Sequence, residues 1–402
     1  MGNGTTFRSM RHRNFRLFFF GQFTSQVGNW QTLVAQSLLA LNVGGNAFSV
    51  GVLGACQFLP VLVFGAYGGL LADRTDKRNL LIVVQSIAML QSFALAYVAA
   101  QNQPNFVWLC VVASVGGVAM AIDNPTRRAF FVELVEENDV NNAVGLNSSL
   151  MTSSRIVGSA LAGVLISTVG FAWCFVADGF TYGAVLIALI AMRTEEIRSA
   201  PIVLRARRQV RDGFIYVFRT HDLWISMLIM GVVGTLAFNF QVVLPLFVTE
   251  TFDASVSVFT ALFSVLSVGA LAGALHSARR ESADLRSVAT ASVWFGCSLC
   301  ALAATPWLWL AFPMSLLVGW SSIMFLTAST SIVQLRVDPE MRGRVLALQA
   351  MVFLGTTPIG GPIVGAICDA YGARVGIIVG GTAAILAGIL PFHTPRRRSW
   401  HG

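Results

Sequence analysis

The sequence predicts an all-α membrane protein with twelve transmembrane helices in two six-helix, pseudo-symmetric bundles. Three observations carry that reading. Of the 402 residues, 55% are hydrophobic and only 11% charged, whereas soluble domains carry about 25% charged residues. The apolar residues gather into runs of about 20, the length a helix needs to cross the hydrocarbon core. The second half of the chain also repeats small and polar residues of the first half in order.

The runs fall at 17–42, 48–71, 80–101, 105–125, 143–168 and 171–192, then at 223–248, 255–277, 286–304, 307–334, 344–369 and 373–393. Each is read as a helix, because in lipid a spanning segment must satisfy its own backbone hydrogen bonds. They divide the chain into a first bundle (1–192), a linker (193–222) and a second bundle (223–402).

The first run is unusually polar, with Gln22, Ser25, Gln26, Asn29, Gln31 and Gln36; the seventh contributes Asn239 and Gln241. Uncharged amides at mid-depth are costly unless they face protein or water. They are therefore expected to line a central cavity, with hydrogen bonding between helices as the alternative. Trp30, Phe238 and Phe240 would make that cavity amphipathic, suited to a bulky apolar or aromatic ligand with a few polar groups. The binding candidates are Gln22, Ser25, Gln26, Asn29, Trp30, Asn239, Phe240 and Gln241.

Between the second and third runs lies a charged hairpin, 69–78 (GLLADRTDKR), holding the chain's only lysine, Lys77. It reads either as a hinge or as a short loop whose charges set orientation. The fifth run contains Arg155 together with Gly158 and Gly163, and the eleventh contains Pro358, Gly360, Gly361, Pro362 and Gly365. These small residues are read as helix-packing positions, where backbones approach closely. Asp178, in the sixth run, is the only acid well inside a predicted span, about 10 Å below the outer surface at 1.5 Å per residue. Intramembrane acids are functional candidates by default. Asp178 is thus the candidate proton-coupling residue, with Arg155, about 10 Å deeper, as its candidate partner. A structural hydrogen-bond role is the alternative. The linker carries seven arginines, and its Val210, Phe214, Val217 and Phe218 recur at helical spacing opposite Arg208, Arg211 and Asp212. That pattern suits an amphipathic helix lying at the membrane surface.

Asn29-Trp30-Gln31 recurs as Asn239-Phe240-Gln241, Gly65 and Gly69 as Gly269 and Gly273, and Leu146, Gly158, Gly163 and Gly170 as Leu348, Gly360, Gly365 and Gly372. The ordered series indicates a parallel duplication, a plan seen in secondary transporters.

Of the 27 Lys and Arg residues, only Arg155 falls mid-span and only Arg374 in a predicted outside loop. The positive-inside rule then puts both termini in the cytoplasm. It also accounts for the net charge of +8, so no nucleic-acid partner is expected. Arg8, Arg11, Arg13 and Arg16 precede a long apolar run without a small-residue cleavage site, so no cleaved signal peptide is expected. Neither disulfides, metal nor cofactor are expected from six cysteines in or near apolar runs and five scattered histidines. The sequence has no P-loop, H-E-x-x-H or G-x-S-x-G element, which argues against ATP-driven transport and an intramembrane enzyme, with no catalytic residue.

The hairpin's G-x-x-x-D-R-x-D-K-R pattern resembles the loop signature of major facilitator transporters, with Asp76 where a second glycine is common. The segments 14–18 (NFRLF), 21–25 (GQFTS), 121–135 (AIDNPTRRAFFVELV), 142–148 (NAVGLNS) and 155–158 (RIVG) are similar to the drug:proton antiporter group that includes macrolide and siderophore exporters. Ser159 stands where that group often has proline. The resemblance implies an exporter of small amphipathic molecules in the inner membrane. It would work by alternating access, with the lipid bilayer, a small-molecule substrate and protons as partners, and act as a monomer. A metabolite importer or uniporter of the same fold is the alternative. The resemblance also implies a gating set of Gly69, Asp73, Arg74, Lys77, Arg78 and Asp123, with Asp123 as partner for Arg74 and Asp73 near Gly343 and Arg344. In the second half, Ser277 and Ala278 occupy the places of Asp73 and Arg74.

Overall fold

The apolar runs become long helices, three of which start at a side-chain cap from Asp76, Asn105 or Asp284. The structure is a computed structural model and describes residues 7–198, 209–277 and 284–393. In chain order the helices are α1 (Arg13–Gly44), α2 (Ala47–Arg74), α3 (Lys77–Ala99), α4 (Phe106–Glu133), α5 (Val140–Thr168), α6 (Phe171–Ile190), α7 (Gln209–Arg219), α8 (His221–Leu236), α9 (Phe240–Phe252), α10 (Val256–Ser277), α11 (Leu285–Ala303), α12 (Leu308–Arg336), α13 (Pro339–Tyr371) and α14 (Ala373–His393). No strand occurs among the described residues.

Among the described residues, eleven candidate spans are long and apolar enough to cross a membrane. One of them, His221–Phe252, takes in both α8 and α9. The twelfth helix is α1, whose 32 residues reach about 48 Å, but whose amides dilute its apolar character. Two boundaries differ from the sequence reading. The fourth run, expected to end near residue 125, continues as helix through Pro125 to Glu133, so that Asp123 and Arg127 share one helix. The seventh run, expected as one helix over 223–248, is interrupted between α8 and α9, where Asn239 leaves helical geometry at φ −96° and ψ 41°.

The chain forms two compact units. The first holds α1, α3 to α6 and the part of α2 from Cys56 onward; the second holds Asn46–Ala55 and α7 to α14. The first ten or so residues of α2 therefore belong with the second unit, a division the sequence boundary at 192 does not anticipate.

In the first unit, α1 packs on α5 and α6, and α3 on α4 and α6. At the end carrying the basic connections, Phe15 and Phe131 meet edge-on at 5.1 Å and Phe18 and Phe130 at 5.4 Å, inside a core that includes Leu81, Val185 and Leu189. Charges close the same end. Asp76 caps α3 by accepting from the Asn79 amide at 2.8 Å. Lys77 Nζ lies 2.7 Å from Glu133. Arg78 Nε donates to the Leu189 carbonyl at 2.7 Å, a favourable place for a cation because the last carbonyls of α6 point there. The buried Asp139 gathers Arg8, Arg11 and His12 within 2.9 Å. His12, Arg8 and Arg11 hold its carboxyl below the usual carboxylate range.

The second unit repeats the plan: α8 packs on α13, and α11 on α12 and α14. Asp284 caps α11 through the Ser287 amide at 2.9 Å, as Asp76 caps α3. Gly170 and Gly372 both precede the last helix of their unit at φ +86°, a conformation that favours glycine because it has no Cβ. In α7, Val217 is buried while Phe214 and Phe218 are exposed, and the Phe218 and Trp224 rings lie tilted with centroids 4.4 Å apart. Arg208 and Ala278 lie outside the described residues, as do the side chains of Val210, Arg211 and Asp212.

Candidate functional site

A cavity enclosing about 600 Å³ of space, open solvent included, lies within the first unit between α1, α2, α3, α4 and α6. Helical periodicity explains which side chains reach it. On α1, Gln26, Asn29, Thr32 and Gln36 follow one another at steps of three or four and share a face, with Ser25 one turn before Asn29 beside them. Gln85, Ala88 and Gln91 do the same on α3, and Gly116, Met120, Asp123 and Arg127 on α4. Gln57 and Tyr182 complete the wall from α2 and α6. Gly116 makes room for Gln91, because a Cβ there would fall 3.0 Å from the Gln91 amide.

Among the described residues, Asp123 and Arg127 are the only charged ones lining this cavity, and they form an i,i+4 ion pair with both side chains buried. Gln85 Nε2 donates to Asp123 Oδ1 at 2.7 Å. With the Gln22 amide oriented so that its oxygen faces the guanidinium, it accepts from Arg127 Nη1 at 2.8 Å and Nε at 3.3 Å, and from Gln26 Nε2 at 2.9 Å. All three nitrogens of Arg127 are thus engaged. The partner of Asp123 is Arg127, one helical turn away, and not the Arg74 suggested by the sequence; Arg74 is exposed at the end of α2.

Asp178 is fully buried. Its carboxylate accepts from Ser92 Oγ at 2.6 Å, Thr32 Oγ1 at 2.8 Å and Thr181 Oγ1 at 3.3 Å. Thr32 also lines the cavity, so Asp178 stands one hydroxyl away from it. The fit against α1 depends on Gly28, where a Cβ would overlap both the Asp178 carboxylate and the Thr181 hydroxyl. Arg155 is not among the ion pairs of the described residues. Its guanidinium instead lies 5.7 Å from the Trp30 ring centroid.

The remaining candidates spread out. Ser25, Gln26 and Asn29 line the cavity, Gln22 braces Arg127, and Trp30 turns to Arg155. In the second unit Asn239 donates to the Thr235 carbonyl at 2.7 Å and its own carbonyl accepts from Val242 and Val243. Phe240 joins Phe238 and Phe295 in an aromatic cluster with centroids 5.0–6.2 Å apart, and the half-buried Gln241 follows in the first turn of α9. Gly69 and Asp73 lie half-buried in the last turns of α2. Gly158 sits against the α1 backbone at Val27 and Trp30, and Gly360 holds the matching place against Thr235 on α8. Gly361 and Gly365 meet the first turns of α2, at Gly51 and at Ala47 with Phe48; Gly163 is buried and Pro362 half-buried on their helices. Sequence reasoning missed Thr32, Gln57, Gln85, Gln91, Asn124, Arg127 and Tyr182. Gln85 and Gln91 were available as isolated amides in an apolar run, and Asp123 and Arg127 as an i,i+4 pair.

Comparison with known proteins bears on the family and the fold. Residues 4–401 match the family model described as transmembrane secretion effector. The staphyloferrin A transporter of Staphylococcus aureus is 22% identical over 362 residues, covering 89% of this chain and 90% of that one. Macrolide efflux protein A of Streptococcus pyogenes is 20% identical over 393 residues, covering 94% and 96%. Among solved structures, a nucleoside transporter superposes with a TM-score of 0.78 at 13% identity, covering 94% of this chain and 98% of that one. With a family match spanning nearly the whole chain on a twelve-helix membrane fold, this protein belongs to the transmembrane secretion effector family of major facilitator transporters.

Proposed function

We propose that the chain exports small amphipathic molecules from the cytoplasm across the inner membrane, in exchange for protons and by alternating access. Both termini face the cytoplasm in this reading, because the basic connections gather at one end. The names of the two relatives, a staphyloferrin A transporter and a macrolide efflux protein, suit the substrate class. The observation that carries the reading is the cavity of the first unit, where neutral amides surround a buried acid–base pair and a second buried acid stands one hydroxyl away.

That arrangement offers a coupling route. While Asp178 is ionised, Thr32 donates its hydroxyl proton to it and presents only acceptor lone pairs to the cavity. A proton taken up on Asp178 Oδ2 reverses that hydrogen bond, so that Thr32 accepts from the acid and turns its own proton toward the cavity. Proton and substrate then compete through one hydroxyl. Gly69, Asp73, Arg74, Lys77 and Arg78 serve as the gating element at the cytoplasmic end. The test is uptake of a macrolide into inverted vesicles under an imposed pH gradient. Asp178→Asn keeps the shape and removes the titration, so uphill transport should be lost. Unchanged uphill transport with the same dependence on the gradient would place coupling elsewhere.

A further inference from the structure

The cavity is electrically neutral, and its unused hydrogen-bonding capacity is specific. An incoming carboxylate finds no unengaged cation on its wall, since Arg127 is committed to Asp123 and Gln22. An incoming ammonium finds only the Asp123 carboxylate, already held by Arg127 and Gln85. A charged ligand would therefore have to break a buried pair, which leaves one of its partners uncompensated.

What the wall leaves unpaired is uncharged. Gln36 is 2% exposed, yet neither its Nε2 nor its Oε1 has a hydrogen-bond partner among the described residues. Gln85 Oε1 is buried and unpartnered as well. Buried polar groups are nearly always hydrogen-bonded, so these atoms mark where a ligand's own polar groups belong. Asn29, Thr32 and Gln36 form a row about 10 Å long on one face of α1, and Gln91 of α3 lines the same cavity. A carboxamide both donates and accepts, while Thr32, whose proton goes to Asp178, can only accept. The complementary ligand must offer donors and acceptors side by side without charge.

We infer that the subsite formed by Asn29, Thr32, Gln36, Gln85 and Gln91 binds an uncharged polyhydroxyl group, such as a pyranoside, carried as the polar head of an amphipathic substrate. This deepens the export reading and rests on it, because it takes the cavity to be where the substrate sits.

The test measures binding of three matched probes to the full-length protein in lipid nanodiscs. They are 4-methylumbelliferyl β-D-glucopyranoside, the corresponding glucuronide, which adds a carboxylate to the same sugar, and 7-methoxy-4-methylcoumarin, which lacks the sugar. The glucoside should bind about tenfold more tightly than either of the others, the worth of one or two neutral hydrogen bonds. Gln36→Leu should erase that advantage while leaving the affinity of the sugarless probe unchanged; Gln36→Met serves if the leucine variant does not fold. A glucuronide that binds as tightly as the glucoside would overturn the inference, and so would an advantage that survives Gln36→Leu. A glucoside no better than the sugarless probe would overturn it too. Export of an uncharged amphipathic dye by the wild-type protein, assayed in parallel, separates the two readings: export without glucoside preference refutes only this inference, whereas absence of export refutes the reading beneath it.

Discussion

Replacing Asp369 should loosen the first turn of α2. Asp369, near the end of α13, accepts from the Ala47 amide at 2.6 Å and the Phe48 amide at 2.9 Å. The next free donor, the Ser49 amide, is held by Asn46 Oδ1 at 2.9 Å. Losing a side-chain acceptor at a helix N-terminus costs about 0.5–2 kcal/mol, and losing the negative charge there about 0.3–1 kcal/mol. Asp369 is exposed, which keeps both contributions toward the low end. Asp369→Ala should therefore destabilise the turn by about 1–2 kcal/mol, or roughly 5- to 30-fold in its opening equilibrium. Hydrogen–deuterium exchange reads that opening directly. Peptides covering 46–55 should exchange faster by that factor, while peptides from α11 keep their rate. Asp369→Asn, which retains one acceptor, should fall between the two. Unchanged exchange over 46–55 in the alanine variant would refute the capping argument.

Three further outcomes are expected. Gly28→Ala should destabilise the first unit by about 1–3 kcal/mol through overpacking against Asp178 and Thr181, seen as a lower melting temperature; a wild-type melt would show that α1 and α6 have room to separate. Arg78→Leu removes the donors to the Leu189 and Ile190 carbonyls and should cost about 1 kcal/mol, measurable as faster amide exchange at the end of α6. Asp73→Asn should slow macrolide export while leaving expression intact, and unaltered export rates would remove Asp73 from the gating set.

The fold was legible because bilayer thickness and duplication write themselves into hydropathy and spacing. The polar face of α1 was legible too, since amides stand out in an apolar run. Partner choice was not. Asp123 was matched to Arg74 by resemblance, but α4 runs two turns further than its apolar run, which brings Arg127 within one turn of the acid. Asp178 was recognisable as a buried acid, whereas the hydroxyls of Thr32, Ser92 and Thr181 were too ordinary in sequence to reveal themselves as its partners. The interruption at Asn239 leaves no mark in the sequence, because hydropathy is blind to a local change in backbone dihedral angle. In the cavity, α1 was read correctly as polar, but its facing helices contribute one amide here and another there, and only packing gathers them.

The left-handed corner at Gly170 joins α5, ending at Thr168, to α6, beginning at Phe171. Such a joint has no slack. A long loop would let one helix shift while its neighbour stayed in place, but a two-residue reversal passes displacement on almost undiminished. Asp178 lies only two turns along α6 from that corner, so any shift of α5 is carried to the acid as by a short lever. Gly372 alone makes a still shorter joint between α13 and α14. Lengthening either corner by a flexible residue would uncouple the pair it joins.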